Sequence, residues 1–346
     1  MKLVFEKIEL RFLFPAGTSR GVLSEKSSWI LRIKDNPKIA SECSVIPGLN
    51  PDFTSVEAYE KKVKWVCDTF NLLFDKLDER KLLQFFCQEL KSHSSILFGV
   101  ESLFYQLDLS RGVDVFESPF TRGEASIPIN GLIWMGSIHE MRSRVKEKIE
   151  QGFSILKFKI GALDFEKEYA LLKEVRKEFG SKIEIRVDAN GAFDASNVKM
   201  VLEKLSILGI HSIEQPIRPG NKLVMKELCH SSPVPIALDE ELIGINELSD
   251  KSMLLKEVCP QYIILKPSLH GGIKGTLEWI SVAEQLNIGW WMTSALESSI
   301  GLEMLARIAG YMNPIIPQGL GTGGLFENNF ESALLMKEGT IKFRDV

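Results

Sequence analysis

The chain has 346 residues, 45% hydrophobic and 25% charged, enough for a large core and more than one core usually organises, so one large and one small domain are expected. A net charge of −4 gives no general attraction for nucleic acid or anionic lipid; Lys61, Lys62 and Lys64 are interleaved with other residue types, as on a solvated helix face. Five scattered cysteines (Cys43, Cys67, Cys87, Cys229, Cys259) without a C-x-x-C pattern exclude a disulfide framework or zinc site and read as buried thiols in a reducing compartment.

The amino terminus, MKLVFEKIELRFLF, alternates charged and apolar residues like a half-exposed strand. It lacks the apolar block of a signal peptide, and no apolar run approaches a membrane span, so the expected location is the cytoplasm, with no membrane partner. A second strand, SSWILRIKD, is expected after the loop PAGTSRGVLSEK, whose composition suits a mobile lid over residues 15–27. From Ser55 to Leu107, apolar residues at helical spacing predict a helical hairpin or three helices. These segments are expected to form an α+β module over residues 1–124.

Beyond a polar boundary, SRGVDVFESPFTRGEAS, short apolar strands alternate with amphipathic helices. The strands are IPINGLIW, SILKFKIG, IEIRVDANG, HSIEQP, PIALDE, QYIILKP, IGWWMTS and NPIIPQG. A βα unit repeated roughly every 25–30 residues implies a parallel sheet, and seven or eight such units over residues 125–320 close most naturally into a barrel. The open doubly wound sheet is the alternative, but no Gly-rich phosphate turn follows the first strand.

Barrel active sites lie at the carboxyl ends of the strands. Those ends carry Lys157 and Lys159, Asp188 with Asn190, Glu214, Asp239 with Glu240, Lys266, and the hydroxyl-rich TSALESS. Any one alone is as readily the polar residue where a strand meets its loop; six at matching positions point to a site. Asp188, Glu214 and Asp239 on successive strands can converge on one point, since neighbouring strands lie about 4.8 Å apart. Three carboxylates with no histidine cluster suit Mg²⁺, with Mn²⁺ as a substitute, better than zinc. Lys157 and Lys159, one residue apart on a strand, face the barrel interior together while Phe158 faces away. Proximity and desolvation should lower both lysine pKa values toward that of a base, although simple neutralisation of the carboxylates is the alternative use of the pair. Lys266 would approach from the opposite side. A divalent metal with a lysine base suits removal of a proton α to a carboxylate.

The series LKFKIG, RVDANG, IEQP, ALDEE and LKPS, in this order and spacing, resembles the muconate-lactonising branch of the enolase superfamily, and SSILFGVESLFYQLDL resembles the end of its capping helices. The resemblance spans essentially the whole chain and implies a modified (β/α)7β TIM-type barrel over residues 125–320 with an α+β capping domain over residues 1–124, completed by the carboxyl-terminal segment 321–346. It implies Lys159 as acid/base with Lys157 in support, Lys266 on the opposite face, Asp188, Glu214 and Asp239 as metal ligands, and Asn190 and Glu240 behind them. The carboxyl-terminal SALESSIGLEMLARIAGYMNPIIPQGLGTGGLF is most similar to the o-succinylbenzoate synthases, which dehydrate 2-succinyl-6-hydroxy-2,4-cyclohexadiene-1-carboxylate on the way to menaquinone.

N-acylamino acid racemases and dipeptide epimerases share the half-reaction; the epimerases tend to carry an aspartate where this chain has Ser268. For the succinyl carboxylate the expected contacts are Thr293, Ser294, Ser298, Ser299 and Gly321, with Ser19 and Arg20 closing over the substrate. Serine after a strand is equally often a helix cap. Two rivals come from other classes: a Schiff-base aldolase using Lys266, which leaves the carboxylates unexplained, and a non-catalytic barrel. The expected partner is a small-molecule carboxylate, and a homo-oligomer is compatible with the sequence.

Overall fold

The computed structural model describes residues 1–18 and 21–344, with backbone alone for 16–18. The chain begins with an antiparallel sheet of three strands, β1 (Leu3–Thr18), β2 (Gly21–Ile33) and β3 (Asn36–Ser44). Pairing of β1 with β2 runs to Thr18 opposite Gly21, with a register shift between Arg11 and Ala16. The segment expected to be a mobile loop is therefore mostly strand. Gly and Ser composition masked this, because ladder hydrogen bonds from two long partners override weak local propensity. The third strand was not anticipated.

Three helices follow as expected: α1 (Val56–Leu73), α2 (Glu79–Glu89) and α3 (Ser94–Ser110). Ser55 and Asp78 cap the first two by accepting backbone N–H groups of their first turns. Trp29, Leu31, Tyr59, Val63, Phe70, Phe86 and Leu103 form the core between this sheet and these helices. Helix α3 is apolar nearly all round and buried from Ser94 to Tyr105, because it lies between the cap sheet and the barrel.

After a two-residue strand β4 (Ile127–Pro128), the barrel runs β5 (Gly131–Ile133), α4 (Ile138–Glu150), β6 (Ile155–Lys159), α5 (Phe165–Phe179), β7 (Glu184–Asp188), α6 (Val198–Ile207), β8 (Ser212–Glu214), α7 (Lys222–Ser231), β9 (Ile236–Leu238), α8 (Leu248–Val258), β10 (Tyr262–Leu265), α9 (Gly272–Gln285), β11 (Gly289–Met292) and α10 (Ser299–Met312). Strands β5 to β11 form one parallel sheet in chain order. The expected eighth strand, NPIIPQG, is not a regular strand, since Pro314 and Pro317 have no N–H to offer a ladder. Single bridges replace it: Gly319 pairs with Thr293 beyond β11, and Gln318 with Ile129 before β5. These join the two edges of the sheet and curl it closed.

The carboxyl-terminal segment serves both units. Leu325 accepts from the Leu13 amide of β1 at 2.9 Å. Strands β12 (Leu334–Lys337) and β13 (Thr340–Phe343) then pair with β4. Leu10, Phe12, Trp134, Leu296, Leu325 and Phe326 pack as a separate cluster where cap, barrel and tail meet.

Among the described residues no helix is long and apolar enough to cross a membrane. All five cysteines are free; Cys43, Cys67 and Cys229 are buried and Cys87 is half-buried, but Cys259 is exposed, contrary to the expectation of buried thiols. It ends α8 in a left-handed conformation, at φ 51°, where its side chain meets solvent.

Candidate active site

Strand register builds the site. Lys159 pairs with Asp188, and Asp188 with Glu214, so these three stand side by side across β6, β7 and β8. Two-residue alternation puts Lys157, Arg186, Ser212, Ala237, Ile264 and Trp291 in the layer beneath. Ala237, Ile264 and Trp291 pack together there, and the Arg186 guanidinium lies over Trp291 at 4.6 Å. This packed floor keeps the charged row at the rim.

Lys157 reaches up from its layer to place its ammonium 2.9 Å from Asp188 Oδ2 and 2.5 Å from Glu214 Oε2. Lys159 donates to Asp188 Oδ2 at 2.9 Å and to Asn190 Oδ1 at 2.8 Å. Asn190, at a positive φ of 44°, donates in turn to Glu240 Oε1 at 3.0 Å. Lys266 pairs with Asp239 and lies 4.0 Å from Glu214 Oε1. The buried imidazole of His270 accepts from the Lys266 amide at 2.9 Å, and burial drives its pKa down to about 3, so it is neutral.

These pairings decide the charges. Burial by itself would lower Lys157, but Asp188 and Glu214 outweigh it and hold the lysine above its ordinary value. The expectation that crowding lowers this pKa is corrected: the carboxylates are nearer than the second ammonium. Lys266 is likewise raised, because Asp239, Glu214 and Glu240 overcome its desolvation. Asp188 and Asp239 fall below the ordinary carboxylate range, burial being outweighed by lysines for the first and by Lys266 for the second. Glu214 moves the other way, through burial and then repulsion from Asp188.

Glu214 Oε1 and Asp239 Oδ1 are buried with no hydrogen-bond partner. Such orphaned carboxylate oxygens need an explanation, and an all-oxygen set of this kind fits a hard divalent cation. As they stand, no three Asp, Glu, His or Cys side chains among the described residues converge closely enough to hold an ion. The reason is that the Lys157 ammonium stands between Asp188 and Glu214, and that of Lys266 against Asp239.

The rim opens into a cavity of about 170 Å³ lined by Lys157, Lys159, Asp188, Asn190, Glu240 and Lys266. A dry cavity of roughly 150 Å³ accepts benzene, so this space admits one six-membered ring. Its apolar wall was not foreseen: Val22 and Leu23 come from β2, Ile46 and Leu49 from the loop after β3, and Leu132, Trp134 and Leu296 from the barrel. Trp134 ends the first barrel strand segment, so the strand-end rule could have found it.

The expected substrate contacts divide. Thr293, Ser294 and Gly321 line the cavity. The hydroxyl hydrogens of the first two are committed, Thr293 to the Gly319 carbonyl at 3.0 Å and Ser294 to Glu297 at 2.7 Å. Ser298 and Ser299 do not line it. Ser298 caps α10 and donates to Glu42 at 2.5 Å, while the Ser299 amide donates to Asn329. Ser268 is also turned away, donating to Glu297 at 2.7 Å. Ser19 and Arg20 lie outside the described residues.

Comparison with known proteins bears on the family and the fold. Residues 140–345 match the family model of the enolase C-terminal domain-like proteins. The chain is 40% identical to an o-succinylbenzoate synthase of Desulfotalea psychrophila over 99% of its own length and 98% of the relative's. It superposes on the crystal structure of MenC from the same organism with a TM-score of 0.81 and 38% identity, covering 99% of each chain. A substrate-liganded L-Ala-D/L-Glu epimerase from Bacillus subtilis gives a TM-score of 0.86 at 20% identity over 99% of this chain and 97% of that one, a likeness of fold alone. The chain belongs to the enolase superfamily.

Proposed function

We infer that the chain is an o-succinylbenzoate synthase, a carbon–oxygen lyase that dehydrates 2-succinyl-6-hydroxy-2,4-cyclohexadiene-1-carboxylate in menaquinone biosynthesis. One observation carries the reading: two lysines from opposite sides of the barrel, Lys159 and Lys266, flank a row of carboxylates at the rim of one ring-sized cavity. Full-length likeness to the Desulfotalea enzyme supports the choice of substrate.

Lys159 is the acid/base. Its ammonium opens to the cavity and is positioned by Asp188 and Asn190, so the neutral amine would take the ring proton next to the carboxylate. The same nitrogen then returns that proton to the departing hydroxyl on the same face, giving syn elimination. Lys157, held protonated, is the fixed cation beside it. Lys266 presents a second cation to the other ring face, an arrangement worth about 0.5–2 kcal/mol as the ring becomes aromatic. Asp188, Glu214 and Asp239 would hold Mg²⁺, with Mn²⁺ as a substitute. When bound, the ion polarises the substrate carboxylate and offsets the second negative charge that follows loss of the α-proton. The apolar wall, Trp134 and Leu132 included, excludes water. We place this chemistry in the cytoplasm.

An N-acylamino acid racemase or dipeptide epimerase would use the same lysines. The Ser268 side chain faces Glu297, so that position offers no group to a substrate ammonium here. A Schiff-base aldolase is disfavoured because Asp239 holds Lys266 protonated, which removes its nucleophilic lone pair. The test is dehydration followed by ultraviolet absorbance, with Mg²⁺, with EDTA and in Lys159→Ala, beside α-proton exchange of N-succinyl amino acids. Rapid metal-dependent dehydration that is lost in the variant is the expected result. Negligible dehydration with efficient exchange would overturn the named substrate in favour of a racemase.

A further inference from the structure

Behind the cavity wall a second set of charged groups is sealed between cap and barrel. Lys26 on β2, Glu42 on β3 and Glu297 after β11 are 4%, 1% and 0% exposed. Lys26 donates to Ser28 Oγ at 3.1 Å and to Ser44 Oγ. Ser28 passes the connection on, donating to Glu42 Oε1 at 2.7 Å. Glu42 then accepts the first turn of α10: the Ser298 amide at 2.8 Å, the Ser298 hydroxyl at 2.5 Å and the Gly301 amide at 3.1 Å. Glu297 accepts from Ser268 and Ser294, each at 2.7 Å, joining the ends of β10 and β11.

Stability is a poor explanation for this arrangement. Desolvation costs several kcal/mol per buried ion, and apolar replacements of equal volume are often neutral or better. Geometry explains it. Lys26 lies on the same strand as Val22 and Leu23, and Ser298 stands two residues beyond the run Ser294, Ala295 and Leu296; both groups line the cavity. The path Lys26, Ser28, Glu42, Ser298 therefore fixes one wall against the other. It has little slack: a β-carbon at Gly301 would fall 2.9 Å from Glu42 Oε2 and 2.7 Å from the Glu297 Cβ.

We propose that Lys26 and Glu42 are positioning residues that set the width of the cavity between β2 and the β11–α10 loop, and thereby the affinity for the substrate's side chain rather than the rate of its chemistry. The choice of substrate for the test rests on the function inferred above. Lys26→Met keeps the stem and removes the charge; Glu42→Gln keeps the shape and one acceptor oxygen.

With Mg²⁺-loaded enzyme, the measurements are kcat and KM for dehydration, thermal unfolding, and amide hydrogen exchange over residues 21–33 and 294–303. The expected result is a rise in KM of about tenfold in Lys26→Met with kcat within about threefold. Exchange should quicken in both segments and not elsewhere, with a smaller effect in Glu42→Gln. The double variant should be no worse than Lys26→Met, because the residues act as one unit. A lowered Tm with unchanged KM and exchange would reduce the network to a structural pair and overturn the proposal; so would a collapse of kcat at constant KM. Should Lys26→Met fail to fold, Glu42→Gln carries the same test. If the wild-type enzyme does not dehydrate the substrate, the functional reading fails, and exchange in the two segments still decides the positioning role.

Discussion

Lys157 and Lys159 share a single oxygen: each ammonium lies 2.9 Å from Asp188 Oδ2. The two are not equivalent. Lys157 is also paired with Glu214 and 7% exposed, whereas Lys159 is 13% exposed and makes its second contact to the neutral Asn190. Lys159→Ala should lower kcat by roughly 10²–10⁴, the usual worth of a general base, with the melting temperature little changed. Lys157→Met should lose stability as well, by about 3–5 kcal/mol, because it takes from the buried Glu214 its close cation and leaves Asp188 with Lys159 alone. Ultraviolet turnover assays and thermal melts of the two variants separate these effects.

Removing divalent metal should abolish dehydration, and adding back Mg²⁺ or Mn²⁺ should restore it. A second readout does not depend on turnover. An ion that binds the folded state alone stabilises it by about 2.7 kcal/mol at a hundred times its Kd, so Mg²⁺ should raise the Tm of the wild-type protein. Asp239→Asn, which removes one of the proposed ligands, should blunt that rise. A Tm insensitive to Mg²⁺ in the wild type would count against the metal site.

Glu101 on α3 clasps the barrel by accepting the Ile273 and Lys274 amides at the start of α9, at 2.5 and 3.1 Å. Burial pushes its pKa from the ordinary 4.5 up to about 7, with Lys274 opposing and Glu278 adding to the shift. Between these values the folded protein holds a proton that the unfolded chain has released. This contribution to stability is present in full below the lower value and is lost as pH rises through the higher, by on the order of 3 kcal/mol. Urea unfolding at pH 5, 6, 7 and 8 should show the decline, and Glu101→Gln should flatten it.

Gly99 lets α3 rest directly on β3. A β-carbon there would overlap the Cys43 sulfur and come 3.1 Å from the Glu42 carbonyl. Gly99→Ala should cost about 1–3 kcal/mol by overpacking, despite the better helix propensity of alanine. Adding Cys43→Ala should recover part of the loss. Denaturant midpoints of the single and double variants provide the measurement.

Period-two alternation within SILKFKIG and IEIRVDANG, together with the order of strand-end ionisable residues, determined the barrel and the membership of its charged row. Those features are local, and strand geometry converts them directly into a shared interior face. Helical spacing between Ser55 and Leu107 likewise determined that the cap is helical there, while the choice between a hairpin and three helices came from the structure. What local pattern did not contain was the pairing partner. The 15–27 segment reads as loop by composition, yet most of it is strand because β1 lies alongside, and NPIIPQG reads as strand yet its prolines allow only isolated bridges. The same holds at the site. That Lys157 is held protonated depends on its distance from Glu214, and which serines face the cavity depends on Glu42 and Glu297, which arrive from distant parts of the chain. Charge and hydrogen-bond partners across hundreds of residues are set by tertiary contact alone, because electrostatic energies in a buried site change by kilocalories over a few ångströms.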